Sequence, residues 1–283
     1  MKFGKTIKLF LIDGDPNGRI SCELSNWSGK AYKIPRIKIK DCSDRDDLNS
    51  TGVYLLFGKD EAGKDLVYIG EAESILKRLQ QQLTQKDFWH ETIVFISKDE
   101  NLNKAHIKYL ENRLHDIAKT SNRYHIDNTI IPTQSSISES DRSEMEEFIE
   151  YIKMLVNTLG HKVFDEKREL KNNQKQDLFY IKAIRGAEGL GEQTSEGFLV
   201  LKSSKAAAKV VNSLTSSLIN YRQKLINEKV IIDKGEYYEF PDDFIFSSPS
   251  AAASIILGRN ANGLTEWKNK QGLSLKEIET NNK

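Results

Sequence analysis

Between His161 and Gln176 the chain carries charge after charge with few large apolar side chains, and this interval constrains the fold more than any other feature. One continuous core cannot run through it, because such a stretch buries too little apolar surface to offset the entropy of ordering it. We read residues 161–176 as an interdomain linker. The 283 residues are about twice an ordinary domain, so the chain is expected to hold separate folded parts. They are an N-terminal β-hairpin and basic strand over 1–48, a central domain over 49–160 and a C-terminal domain over 177–283.

Hydrophobic residues make up 38% of the chain and charged residues 29%, enough apolar material for cores and too ordered a mixture for disorder throughout. No run of uncharged apolar residues is long enough for a membrane span. The first residues, Met1 to Leu11, carry Lys2, Lys5 and Lys8 without the apolar stretch of a secretion signal, so a cytoplasmic location is expected. Two cysteines, Cys22 and Cys42, cannot build a disulfide framework or a zinc site and are read as reduced thiols.

The net charge of +1 hides a pattern. Residues 1–48 hold ten basic and seven acidic side chains, residues 49–160 thirteen and eighteen, and residues 161–283 nineteen and sixteen. If the acidic middle acts on a polyanion, a metal ion or the flanks must offset the repulsion. One such flank is Arg36, Lys38 and Lys40, which alternate with Ile37 and Ile39. As a strand, this segment has one apolar and one cationic face, usable either as a phosphate-contacting stripe or simply as a solvated surface.

The pattern of elements predicts an α+β fold: a small mixed or antiparallel sheet with flanking helices, and a second small α+β domain. Alternating apolar residues around Asp15-Pro16-Asn17-Gly18 predict a first hairpin. Gly52 to Phe57 and Leu66 to Gly70 predict a second, followed by a helix over Glu71 to Gln82 and a strand over Phe88 to Ser97. Asn101 or Asn103 caps a helix bearing Ile107, Leu110, Leu114 and Ile117. A long helix from Glu139 to Leu159 starts at a Ser138/Asp141 cap and ends at Gly160. Beyond the linker, strands over Leu178 to Ile184 and Gly197 to Leu201 flank a glycine-rich loop. A helix then spans Ser203 to Asn227, with a hairpin over Val230 to Phe246 and a short helix over Ser250 to Leu257.

Gly52-Val53-Tyr54 and Tyr68-Ile69-Gly70 lie on adjacent predicted strands, with Arg78 on the next helix and Glu111 on a later one. Singly, each has an ordinary use: cross-strand tyrosines, a solvated arginine, a structural ion pair. Together, in this order, they resemble the GIY-YIG nuclease family over about residues 50–130, with Val53 in place of isoleucine. The resemblance implies a metal-dependent endonuclease acting on nucleic acid, DNA ahead of RNA. It implies Tyr54 as general base or water-orienting phenol, Tyr68 as its support, Arg78 as a phosphoryl clamp, and Glu111 as the ligand of Mg2+ or Mn2+. It also implies an asparagine after the glutamate helix, best matched by Asn128, with Asn122 as competitor. Lys77 joins Arg78, Arg36, Lys38 and Lys40 as expected nucleic-acid contacts.

Gln82 stands where some members carry a histidine one turn after the arginine; His90, beside Phe88 and Trp89, is read either as its substitute or as a packing residue, and His115, one turn after Glu111, as a candidate support for that carboxylate. The C-terminal sequence, with Ser248-Pro249-Ser250-Ala251-Ala252-Ala253, Gly258-Arg259, Asn262-Gly263 and Trp267-Lys268, looks like an uncharacterised accessory domain found behind such nucleases. Arg259, Lys268 and Lys270 near Trp267 are read either as a backbone-and-base contact or as a buried tryptophan among solvated cations. Two other classes stay open: a catalytically silent nucleic-acid-binding module and a protein-interaction adaptor.

Overall fold

A computed structural model of the chain describes residues 3–165, 178–183, 186–211 and 213–281. The chain is α+β and divides into two compact units, Met1–Arg168 and Glu169–Lys283. Most of the expected linker lies outside the described residues. Its first part does not behave as a linker: Val163 and Phe164 are buried in the core of the first unit, and the His161 ring stacks on Phe57 at 3.6 Å.

The first unit is built from β1 (Ile7–Leu11), β2 (Ile20–Leu24), β3 (Gly29–Pro35), β4 (Gly52–Lys59), β5 (Asp65–Ala72), α1 (Ile75–Gln85), β6 (Trp89–Ser97), α2 (Lys104–Ser121), β7 (His125–Ile126) and α3 (Glu139–Thr158). Its sheet runs β1-β2-β3-β6-β4-β5-β7, antiparallel except where β7 joins β5 in parallel. The N-terminal hairpin is therefore part of the same sheet as the motif strands and not a separate domain.

Both faces of β4 are covered, and its side chains alternate between two cores. Val53, Leu55 and Phe57 pack with residues of α2 and α3, whereas Tyr54 and Leu56 pack with Ile75, Leu76 and Leu79 of α1. This period of two fixes which face each tyrosine takes. Asn103 caps α2 by accepting from the N–H groups of Ala105 and His106, and Ser138 caps α3 by accepting from Asp141.

The cationic strand expected at Arg36–Lys40 does not form. Pro35 ends β3, and residues Arg36–Asp44 and Asp46–Asn49 make two 3₁₀ segments. Proline has no N–H to extend the ladder, and a three-residue turn cannot hold Ile37 and Ile39 on one face. Ile39 is buried and Ile37 is 85% exposed.

The second unit contains β8 (Phe179–Lys182), β9 (Glu188–Thr194), β10 (Gly197–Val200), β11 (Lys205–Ala207), α4 (Ser216–Asn227), β12 (Ile232–Asp233), β13 (Tyr237–Glu239), β14 (Phe244–Phe246), α5 (Pro249–Leu257), α6 (Gly263–Glu266) and α7 (Leu275–Asn281). Six of its strands run in the order β12-β13-β11-β9-β10-β14, with β8 also paired to β9. Two expectations change here. The loop expected between the first two strands is largely the strand β9. The helix expected from Ser203 starts only at Ser216, because Lys205–Ala207 pair with Tyr237–Glu239 and bury both alanines. A run of small apolar residues satisfies either period, and sheet pairing decides it.

α3 is tied back to the sheet by a polar network. Glu91 on β6 takes Lys33 Nζ at 3.0 Å and lies 2.7 Å from His161 Nε2, while Lys33 also donates to the Leu159 carbonyl. Burial pushes the Glu91 carboxyl up, but the hydrogen bonds from His161 and Lys33 outweigh it and bring the group down to about 2. A carboxylate with a lowered folded-state pKa stabilises above its unfolded value and loses that contribution as pH falls through the folded one. Glu91 is therefore expected to contribute roughly 3 kcal/mol near neutrality that disappears between about pH 5 and pH 2. Denaturant unfolding of the full chain across that range, with Glu91→Gln flattening the acid limb, checks it.

Candidate functional site

Tyr54 and Gly70 are direct cross-strand partners on β4 and β5, and Tyr68 lies two residues along on the same face. A side chain at position 70 is sterically excluded: a Cβ there meets Tyr54 Cζ at 2.5 Å and its hydroxyl at 2.6 Å. The phenol thus lies across bare backbone. Its ring centre is 6.1 Å from that of Tyr68.

The Tyr54 hydroxyl accepts hydrogen bonds from Arg78 Nε at 3.3 Å and Gln82 Nε2 at 3.0 Å, both from α1. Residues 78 and 82 are one helical turn apart, so one face of α1 delivers both donors. Burial, with the nearby Tyr68 phenol, raises the Tyr54 pKa above its ordinary value, while Arg78 and Gln82 pull against the shift. Tyr54 is a neutral phenol at physiological pH. Tyr68 is half-buried, and Lys86 Nζ sits 4.4 Å from its ring centre while also pairing with Asp127.

Glu111 on α2 is half-buried, and its carboxyl is pushed up to about 7, first by burial and then by the like charge of Glu71. Lys104 and Arg78 pull in the opposite direction. The same arginine therefore bonds to Tyr54 and acts on the Glu111 carboxylate. Glu71, the residue after Gly70, is bound by Lys104 Nζ at 3.0 Å. Among the described residues no group of three or more His, Cys, Asp or Glu side chains gathers as a metal cluster. A hard divalent ion needs only one or two carboxylates beside water and phosphate oxygens, and the Glu111 carboxylate, strained by Glu71, fits that donor set.

Asn128 follows β7 and binds both backbone groups of Ile69. Its Oδ1 accepts from the Ile69 N–H at 3.0 Å, and its Nδ2 donates to the Ile69 carbonyl at 2.8 Å. It holds the strand between Tyr68 and Gly70 in place, continuing the pairing that β7 begins. Asn122 has another task, as the left-handed residue that ends α2. His90 is exposed, and His115 is buried with its Nδ1 3.7 Å from Asp116 Oδ1 and no hydrogen-bond partner among the described residues.

The basic residues separate into two groups. Arg36 donates to the carbonyls of Leu83 and Lys86, each at 2.8 Å, and its guanidinium lies over the Trp89 ring. It closes the C-terminal end of α1 and is not an exposed phosphate contact. Lys38 pairs with Asp41 at 3.1 Å, while Lys40 and Lys77 are exposed. In the second unit, Trp267 is buried, packs on Phe198 and donates to the Pro249 carbonyl, so it does not present a face for base stacking. Arg259 pairs with Glu266 at 2.7 Å. Gly263 lies against the Pro249 backbone, where a Cβ has no room.

Sequence reasoning noted Gln82 only as a missing histidine, and it passed over Glu71 and Lys104. The position of Glu71 immediately after Tyr68-Ile69-Gly70 was the available signal. Because Glu71 repels the Glu111 carboxylate, Glu71→Gln is expected to lower the Glu111 pKa below about 7. Carboxyl 13C chemical shifts followed against pH in metal-free protein measure this, and an unchanged titration means the two groups are not coupled.

No curated protein and no solved structure matches the chain. Residues 179–279, nearly all of the second unit, match the model of a family described as a domain of unknown function (DUF4357).

Proposed function

We propose that the first unit is a metal-dependent endonuclease of the GIY-YIG type, hydrolysing phosphodiester bonds of nucleic acid, DNA ahead of RNA, in the cytoplasm. The second unit is its accessory domain, positioning substrate or recruiting a partner. One observation carries this reading: Arg78 donates to the Tyr54 hydroxyl while its charge acts on the Glu111 carboxyl, so that a phenol, a guanidinium and a carboxylate share one field.

In the proposed reaction a water oxygen bonds to phosphorus as the bond to the leaving oxygen breaks; the proton lost by the water passes to solvent, and the leaving oxygen takes its proton from solvent. Tyr54, kept protonated by burial, orients the water rather than acting as a phenolate base. Arg78 places its planar donors on a phosphoryl oxygen and remains charged throughout. Tyr68 packs beside Tyr54, and Asn128 holds the strand that carries Tyr68. A magnesium or manganese ion bound at Glu111 supplies charge neutralisation and Lewis acidity.

A second reading, a nucleic-acid-binding module that does not cleave, draws support from the complete burial of Tyr54 and from glutamine at position 82. Incubation with supercoiled plasmid separates the two. The wild type is expected to nick with magnesium, chelation and Glu111→Ala to abolish nicking, and Arg78→Ala to slow it by about a hundredfold or more. Nicking that survives both chelation and Glu111→Ala overturns the mechanism. A salt-dependent gel shift without cleavage under any divalent ion selects the silent module.

A further inference from the structure

The Tyr54 oxygen receives two donors, Arg78 Nε and Gln82 Nε2. Both lone pairs of a phenol are then engaged, and its own proton must point away from α1. Gln82 is only 1% exposed, and its second amide atom, Oε1, is a buried acceptor with no hydrogen-bond partner among the described residues. An unpaired buried acceptor is costly. Leucine or methionine would fill the same volume without that cost, so the value of the amide lies in what it does to the phenol.

We propose that Gln82 is a positioning residue for the hydrolysis proposed above: its amide is a fixed donor that locks the Tyr54 oxygen as an acceptor and turns the Tyr54 proton away from α1. The inference rests on that hydrolytic reading for its chemistry, though not for its geometry. Arg78 cannot do this alone. With one donor, the phenol keeps a free lone pair and can rotate its proton inward. With two donors from successive turns of one helix, the rotation is closed. An amide also never titrates, so the donor remains a donor at every pH at which the protein is folded. A carboxylate in the same place does the reverse, accepting the Tyr54 proton and drawing it inward. The buried Oε1 is the polar atom left over when the amide faces the phenol through its nitrogen.

The test uses the full chain with tyrosines labelled with 13C at Cζ, the Tyr54 resonance being assigned through Tyr54→Phe. Gln82→Glu reverses the hydrogen bond, and Gln82→Met removes it at similar volume should the buried carboxylate unfold the protein. Both variants are expected to move the Tyr54 resonance. Both are also expected to slow single-turnover nicking by about a hundredfold, while gel-shift affinity for the plasmid changes by less than about twofold. A Tyr54 resonance and nicking rate unchanged in both variants overturn the proposal. Retention of both in Gln82→Glu alone also overturns it, since that means the phenol proton already points inward. If the wild type does not nick, the nuclease reading fails on its own, and the Tyr54 resonance still decides the role of Gln82.

Discussion

The first unit depends on a missing side chain. Tyr54 and Gly70 face each other across β4 and β5, and the phenol occupies the space that any Cβ at position 70 would need. Only because that space is empty can the ring lie flat enough across the sheet for its hydroxyl to meet Arg78 and Gln82 of α1. Asn128 reinforces the same point from the other side, since its amide substitutes for a strand at Ile69 where β7 has ended. The two motif tripeptides are thus one structural statement: a tyrosine, the bare backbone beneath it, and the strand that must not shift.

The charge available to a polyanion also has a structural side. Several cations near the sheet are occupied within the fold: Lys30 by Asp47, Lys33 by Glu91, Lys86 by Asp127 and Lys104 by Glu71. Arg36 serves two carbonyls. A simple count of basic residues therefore overstates the positive potential available to a polyanion. Arg78 is different, because it is half-buried beside a phenol and its charge extends to a carboxylate that burial disfavours. In such a place one guanidinium has more effect than several solvated lysines, whose fields water and salt screen.

What could be read from the sequence was whatever depends on local period and on short spacing. The strands around Tyr54 and Tyr68, the cap at Ser138, and the amphipathic helices α2 and α3 all follow from those two rules, while of the two candidate caps Asn101 and Asn103 it is Asn103 that starts α2. The α+β class followed from their order. What escaped was decided by distant partners. Arg36–Lys40 has the alternation of a strand, but Pro35 and the carbonyls at the end of α1 take it elsewhere. Lys205–Ala207 has the composition of a helix, but β13 offers a ladder. Trp267 looked available for stacking because nothing in its neighbourhood announces that Phe198 and the Pro249 carbonyl will enclose it. In the site, the residues named by the tandem motif were legible, while Glu71, Lys104 and the task of Gln82 became apparent only once burial and charge could be placed in space.

Arg36 lies outside the stretch that carries the motif residues, yet it fastens the far end of the helix on which Arg78 and Gln82 sit. The boundary drawn by the motif and the boundary drawn by mechanical support are therefore different lines. Anyone excising a minimal fragment from residue 49 onward would keep Tyr54, Tyr68, Arg78, Glu111 and Asn128 and discard the bolt that stops α1 from fraying, along with β1, β2 and β3, the last of which pairs with β6. The self-sufficient piece of this protein is larger than its signature.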